Sequence, residues 1–365
     1  MDLEVVSLVH DDDELQQVGR VEALGARVAA FKAPAMRNRV RAVASLTGSR
    51  PLTHVLLDAP GLSAFLADIA RSRPPDVVLA YCSGMARFAL EPPLTSIPLV
   101  LDMVDVDSAK WAALAPASTW PKRWVYRREA HWLGRFEQLA ALKAHVTLVV
   151  NERERSMLQS MTPDARVQVV GIGVDLAYFR PPSPPTELPR VVFCGVMDYG
   201  PNVDGILWFA RDIWPAIRAR RPEARLTIVG ARPATAVRHL ASAESGIEVT
   251  GTVPDVREYL WDAAVSVAPL LTARGLQTKV LETLAAGLPS VVTPQVFEGL
   301  PENVRAACRV SDEHVQFADD VLALLNLPGR ERRAVASRAS LDGMSWDALL
   351  APLPQILAEA AAGRR

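Results

Sequence analysis

Apolar residues in this chain gather into short unbroken runs instead of alternating with polar ones. The first half holds Glu4–Val9, Arg27–Phe31, Val77–Tyr81, Leu99–Val104, Val146–Val150 and Val167–Val170. The second half holds Val191–Cys194, Leu226–Val229, Ile247–Thr250, Val265–Ala268 and Ser290–Thr293. Helix-like stretches separate most of them. A strand buried on both faces reads as a continuous apolar run, and alternation with helices is the pattern of parallel sheets. The expected class is therefore α/β, with two doubly wound, Rossmann-like sheets.

One stretch breaks the rhythm. Pro181, Pro182, Pro184, Pro185 and Pro189 suit neither a sheet centre nor a helix interior. Residues 181–189 are expected to be an extended linker. It would join an N-terminal domain at 1–180 to a C-terminal domain at 190–344, followed by a helical tail at 345–365 free to pack back on the first domain. Val203, Ile206, Leu207, Ala210, Ile213, Trp214 and Ile217 keep the 3.6-residue period, with Asn202 as the expected N-cap and Pro215 as a kink or restart. A second helix is expected over Gln277–Ala286, closed by Gly287 and Pro289. In the tail, Pro352 and Pro354 predict a break before a last helix.

Composition narrows the function classes. Half of the 365 residues are apolar, enough for two full cores, and the net charge is −1. No basic excess is present to neutralise a phosphate backbone, so nucleic acid is not expected as the main partner. Cys82, Cys194 and Cys308 are far apart and odd in number, which suits a reducing cytosol and packing roles. Met1 leads into Asp2, Glu4 and the acidic run Asp11–Glu14, unlike a signal peptide, and no apolar stretch nears about 20 residues. The expected location is cytoplasmic. The six histidines show no metal-ligand spacing, and no metal or other cofactor is expected.

The segment richest in chemistry runs from Thr272 to Pro289. It follows a strand ending Val267-Ala268-Pro269 and opens a helix. Free amides and the positive end of the helix dipole would converge near Gly275–Thr278, an anion site flanked by Arg274 and Lys279. Glu282, one turn on, is placed to accept from ribose hydroxyls. The bland alternative is a solvated loop. At the end of the run Pro98–Val104 stand Asp102, Asp105 and Asp107. One of these carboxylates, Asp105 foremost, could receive an acceptor proton, or they could only cap the next helix. Trp111, Trp120, Trp124 and Trp132 lie among Lys122, Arg123, Arg127 and Arg128. Core packing is one reading of that cluster; a surface meeting a lipid-linked acceptor or the inner face of the cell membrane is the other.

Leu281-Glu-Thr-Leu-Ala-Ala-Gly-Leu-Pro-Ser-Val-Val resembles the donor-site helix and following strand of glycosyltransferase family 4, of GT-B architecture. Val170-Gly-Ile-Gly-Val-Asp, Gly251-Thr-Val-Pro-Asp-Val and Val191-Val-Phe-Cys-Gly-Val-Met-Asp-Tyr-Gly-Pro-Asn-Val-Asp resemble its interdomain, base-side and first donor-domain segments. More narrowly, Asp102-Met-Val-Asp-Val-Asp-Ser-Ala-Lys-Trp, Tyr126-Arg-Arg-Glu-Ala and Ser345-Trp-Asp are similar to the PEP-CTERM/exosortase-associated sugar transferases of exopolysaccharide systems. The resemblance implies two domains facing a cleft, with the donor on the C-terminal side and the acceptor on the N-terminal side. It implies retaining transfer from a nucleotide-diphosphate sugar to a glycan or lipid-linked acceptor. Glu282 would bind the ribose, and Gly195, Thr252, Val253, Gly275, Gln277 and Thr278 would line the donor site.

Two departures stand out. A sugar-contacting Glu of the family is replaced by Arg274, and Met197-Asp-Tyr replaces its diphosphate-binding Arg and Lys. Arg274 and Lys279 are expected to supply the missing charge. A nucleotide-sugar epimerase of the same fold and a non-catalytic nucleotide-sugar binder are the rival readings. A dinucleotide oxidoreductase is weaker, since no Gly-x-Gly-x-x-Gly follows an early strand. The first strand, Glu4–Val9, also lacks a glycine loop after it. The N-terminal domain is therefore expected to lack its first strand–helix unit.

Overall fold

The computed structural model describes residues 2–116, 118–273 and 275–363. The chain divides into two units, Met1–Gly171 with Pro352–Arg365, and Ile172–Ala351.

In the first unit every strand pairing is parallel. β1 (Glu4–Val9) and β2 (Arg27–Lys32) run side by side from Glu4 opposite Arg27 to Val9 opposite Lys32. A separate sheet has the order β3 (Val78–Tyr81), β4 (Leu99–Val104), β5 (Val146–Val149) and β6 (Val167–Val169). Among the described residues, neither β1's second edge nor β3's outer edge takes part in a ladder. The two sheets nonetheless share a cover. Val6, Leu8 and Phe31 of the strand pair and Val78 of β3 pack on one cluster of Leu62, Leu66, Leu94 and Ile97. Leu79 and Tyr81 of β3 stay exposed.

The second unit is one six-stranded parallel sheet over a single contiguous core. Its strands are β7 (Arg190–Cys194), β8 (Arg225–Val229), β9 (Ile247–Gly251), β10 (Val265–Ala268), β11 (Ser290–Val292) and β12 (Cys308–Val310). The order β12-β11-β10-β7-β8-β9 is doubly wound and reverses direction between β7 and β10. In such sheets ligands bind beyond the carboxyl ends of the strands at the reversal.

Several expectations change on contact with the structure. The units part at Gly171 and Ile172, ahead of the proline-rich stretch. That stretch is not a free spacer. Its carbonyls, which the prolines leave without neighbouring amide donors, accept from Arg332 at Thr186 and from Arg333 at Ser183, and the Gly329 amide donates to Glu187 at 2.9 Å. The tail also splits. Trp346–Leu350 stays with the second unit, while the helix Leu353–Ala362 buries Ile356 and Ala360 against Val100, Val146 and Leu148 of the first. The expected break before the last helix falls at Ala351 and Pro352, and Pro354 sits in that helix's first turn, where no amide is needed. The helix after β7 begins at Gly200 with Tyr199 at the N-cap, not Asn202. It passes through a π-helical turn, Phe209–Ile213, before restarting at Trp214 with Pro215 in the first turn. The unpredicted β12 has Arg309 at its centre, so it never formed an apolar run.

Candidate functional site

At the carboxyl ends of β7, β8 and β9 stand three glycines, Gly195, Gly230 and Gly251. Gly195 donates to the Val229 carbonyl at 3.0 Å and Gly230 to the Gly251 carbonyl at 3.3 Å, which extends the sheet pairing past the strands. A Cβ on Gly230 would lie 1.6 Å from the Gly195 oxygen. This close packing leaves a floor of bare backbone, open to a ligand's approach.

Over that floor sits Lys279, from the first turn of the helix Thr278–Ala285. Its Nζ donates to Asn202 Oδ1 at 2.6 Å and lies 5.0 Å from the centre of the Phe193 ring. Asn202 is itself buried and donates through Nδ2 to the Val196 carbonyl at 2.9 Å. Burial pulls the Lys279 pKa down to about 8, and the charges of Cys194 and Glu282 oppose that only in part. Glu282 is three residues along the helix, hence on the same face. Its carboxylate is half-buried and accepts no hydrogen bond among the described residues. Burial holds its pKa above the usual carboxylate value, with Lys279 pulling the other way.

The helix ends are instructive. The helix Thr278–Ala285 closes in a Schellman motif, Leu288 donating to the Thr283 carbonyl and Gly287, at φ +78°, to Leu284. Its start is left open. No side chain caps it, and the Thr278 and Lys279 amides have no partner among the described residues. Gly275, at φ +64°, turns the preceding loop, and Thr252 and Val253 follow directly on β9. Arg274 lies outside the described residues.

In the first unit, β4 ends in a bulge at Met103, between the pairs Asp102–Leu148 and Val104–Val149. Val104 then adopts φ +66°, and Cys82, after neighbouring β3, adopts φ +63°. A β-branched residue in the left-handed region is strained, and bulges and strain of this kind concentrate where a fold re-aims side chains for use. The three carboxylates there differ. Asp105 and Asp107 both ion-pair with Lys110 at 3.0 Å, and Ser83 donates to Asp107 at 3.2 Å. Asp102 has no cationic partner among the described residues, and burial raises its pKa although the Val104 amide donates to it.

The helix that starts at Asp107 is not an open anion site. Buried Glu154 accepts from the Val106 amide at 2.9 Å, and buried Glu137 takes the Ser108 amide and hydroxyl. Burial pushes Glu137 up to about 7, against those hydrogen bonds. The two units thus treat a helix start oppositely: the first fills it with carboxylates, the second leaves it free for an anion.

The sequence pointed to Lys279 as a cation beside the helix start and to Glu282 one turn on, but not to Asn202 as a partner of Lys279. The available signal was an amide side chain beside an apolar stripe, which reads equally well as a cap. Among the described residues, no group of three His, Cys, Asp or Glu side chains is placed to hold a metal ion, and no helix is long and apolar enough to cross a membrane.

A pH dependence follows from Lys279. Anion binding that relies on its charge should weaken as pH rises through about 8, by roughly tenfold or more between pH 7.5 and 9.5. Titration calorimetry with a nucleoside diphosphate checks this, and Lys279→Met should flatten the profile. Stability should move the opposite way. The unfolded lysine titrates near its ordinary value, so unfolding takes up a proton between pH 8 and about 10.5, and this site's contribution to stability rises with pH across that window.

Residues 188–327 match the family model described as Glycosyl transferases group 1. No curated protein sequence matches the chain. Among solved structures, sucrose-phosphate synthase from Thermosynechococcus elongatus is similar over 99% of this chain and 100% of its own, with 13% identity and a TM-score of 0.66. An α,α-trehalose-phosphate synthase (UDP-forming) from Burkholderia vietnamiensis covers 100% and 99%, with 13% identity and a TM-score of 0.63. HepE from Anabaena, in complex with UDP, covers 98% and 100%, with 12% identity and a TM-score of 0.62. The chain is a transferase of the GT-B fold, with a Glycosyl transferases group 1 domain at residues 188–327.

Proposed function

We propose that this protein transfers a sugar, with retention, from a nucleotide-diphosphate sugar to a glycan or lipid-linked acceptor, as a step of exopolysaccharide assembly. The observation that carries the reading is the pairing of Lys279 and Glu282 beside an uncapped helix start, at the sheet reversal of the domain that matches the family. A diphosphate takes the helix amides and Lys279, with Asn202 holding the ammonium in place, and Arg274 completes the charge. Glu282, which accepts no hydrogen bond among the described residues, accepts from the ribose hydroxyls. Charge developing on the leaving diphosphate is stabilised by these groups, without a metal ion. Asp102 is the acceptor-side base, because Lys110 already neutralises its two neighbours. UDP, bound by one similar structure, is the first nucleotide to test.

The test compares UDP with uridine by titration calorimetry. Glu282→Gln should weaken both, by about 1.5–3 kcal/mol for a lost charged hydrogen bond, or roughly 10–100-fold. Lys279→Ala should weaken UDP far more than uridine. With a sugar donor, nucleoside diphosphate should appear only when acceptor is added, which separates transfer from epimerisation. Unchanged affinities in folded variants would refute the site.

A further inference from the structure

The helix Ala35–Ala44 is mounted with its apolar face outward. Its inward residues are Asn38, which donates to the Leu56 and Asp58 carbonyls, and Ala42. Met36, Val40 and Val43, one stripe at helical spacing, are 73%, 64% and 67% exposed. Arg37 and Arg39, on the same helix, are exposed and have no ion-pair partner among the described residues.

A second segment joins this one. Trp120 is 82% exposed and Trp124 47%, at the start of the helix Lys122–Lys143. Exposed Lys122 and Arg127 also lack ion-pair partners among the described residues. Val125 packs with Ala42, Leu52 and Val55, and the buried Arg128 guanidinium donates to the carbonyls of Ser45, Leu46, Gly48 and Arg50. The two segments are therefore fixed to one another within the first unit. Neither contains an acid: no Asp or Glu occurs from Ala33 to Leu57, or from Ser108 to Arg128. Asp58, at the border, is occupied by Arg41, Arg50 and Arg87. In a chain of net charge −1, this face is locally cationic around its exposed apolar side chains.

We propose that this face docks on an anionic lipid bilayer. Met36, Val40, Val43, Trp120 and Trp124 enter the boundary between headgroups and acyl chains, and Arg37, Arg39, Lys122 and Arg127 meet the lipid phosphates. An apolar stripe alone would fit many partners; the acid-free basic surround selects a negatively charged surface. The inference does not depend on the transfer reaction, and its readout needs no donor.

The test is co-sedimentation of the full chain with vesicles of 70% phosphatidylcholine and 30% phosphatidylglycerol, beside vesicles of phosphatidylcholine alone. Binding is expected on the anionic vesicles only, falling as salt rises from 50 to 500 mM. Reversing Arg37 and Arg39 to Glu should weaken it at least tenfold, since each basic residue contributes roughly fivefold. Met36→Glu with Val40→Glu and Val43→Glu should do the same. These positions are exposed, so melting curves of the variants should match the wild type. Absence of binding, equal binding to neutral vesicles, or variants that sediment like wild type would overturn the proposal. So would a wild-type dimer that the triple variant converts to monomer without changing sedimentation, since that face would then join two copies of the chain.

Discussion

Asp102→Asn is expected to lower the transfer rate by roughly 10²–10⁴-fold, the range of a lost general base, while nucleotide affinity stays within about threefold. The prediction rests on the different surroundings of three neighbouring carboxylates. Lys110 sits 3.0 Å from both Asp105 and Asp107, so each is already paired and each can be lost with a smaller effect, under about tenfold. Asp102 lacks such a neutraliser among the described residues, and burial raises its pKa, so it holds a proton better than an exposed carboxylate does. It is the last regularly paired residue of β4 before the bulge. Folding loss is not expected to confuse the result. A group whose folded pKa exceeds its unfolded one weakens the native state above that range, so a neutral Asn should leave stability at pH 7 unchanged or raised. Steady-state assays of the three Asn variants, with melting curves alongside, measure this. Wild-type turnover in Asp102→Asn would remove it from the acceptor role.

Gly230→Ala should be the most damaging single methyl in the second unit. Gly230 has φ +153°, and its new Cβ would fall 1.6 Å from a backbone oxygen of Gly195, which no rotamer change relieves. Either β8 or the loop after β7 must move. A cost of about 3–5 kcal/mol is expected, at the upper end for overpacking, and roughly 10 °C in the melting temperature of this unit. Displacing Gly195 would also shift Asn202 and Lys279, so nucleoside diphosphate binding should vanish with it. Gly200→Ala supplies the control. It is the first residue of the helix after β7, has no atom within 4 Å of a Cβ, and should alter stability by no more than about 0.5 kcal/mol. Calorimetric melting of the two variants decides the matter. Similar behaviour would show that the glycine floor tolerates rearrangement.

Much of the second unit was readable because its strands are buried on both faces and so appear as plain apolar runs. Cys308–Val310 escaped because an edge strand tolerates Arg309. Lys279 was legible as a cation flanking an expected helix start, and Glu282 as the acid one turn after Thr278. What stayed hidden depends on contacts between segments distant in sequence. Asn202 reaches Lys279 across 77 positions, and nothing local separates that role from a helix cap. The contrast among the three Asp residues needed the location of Lys110, whose ammonium spans Asp105 and Asp107 only after the helix Asp107–Leu114 forms. Left-handed backbone at Val104 and Cys82 carries no sequence signature, since neither residue type favours it. The proline-rich stretch shows the same limit: its composition says extended, and the guanidinium groups that pin it lie about 150 residues away.

The break between the two sheets of the first unit has a consequence for how this half of the molecule fluctuates. Across it, the β1–β2 pair is held to the rest by apolar side chains over a common cluster, by an ion pair of Glu4 with Arg73 at 3.0 Å, and by no backbone ladder among the described residues. The pair and its flanking helices are therefore expected to open as a unit of their own while β3–β6 remain closed. The second unit, with one sheet and one core, has no such seam and opens as a block. Amide protons of β1 and β2 are expected to exchange faster than those of β3–β6, and limited proteolysis to cut within this pair before it cuts the second unit.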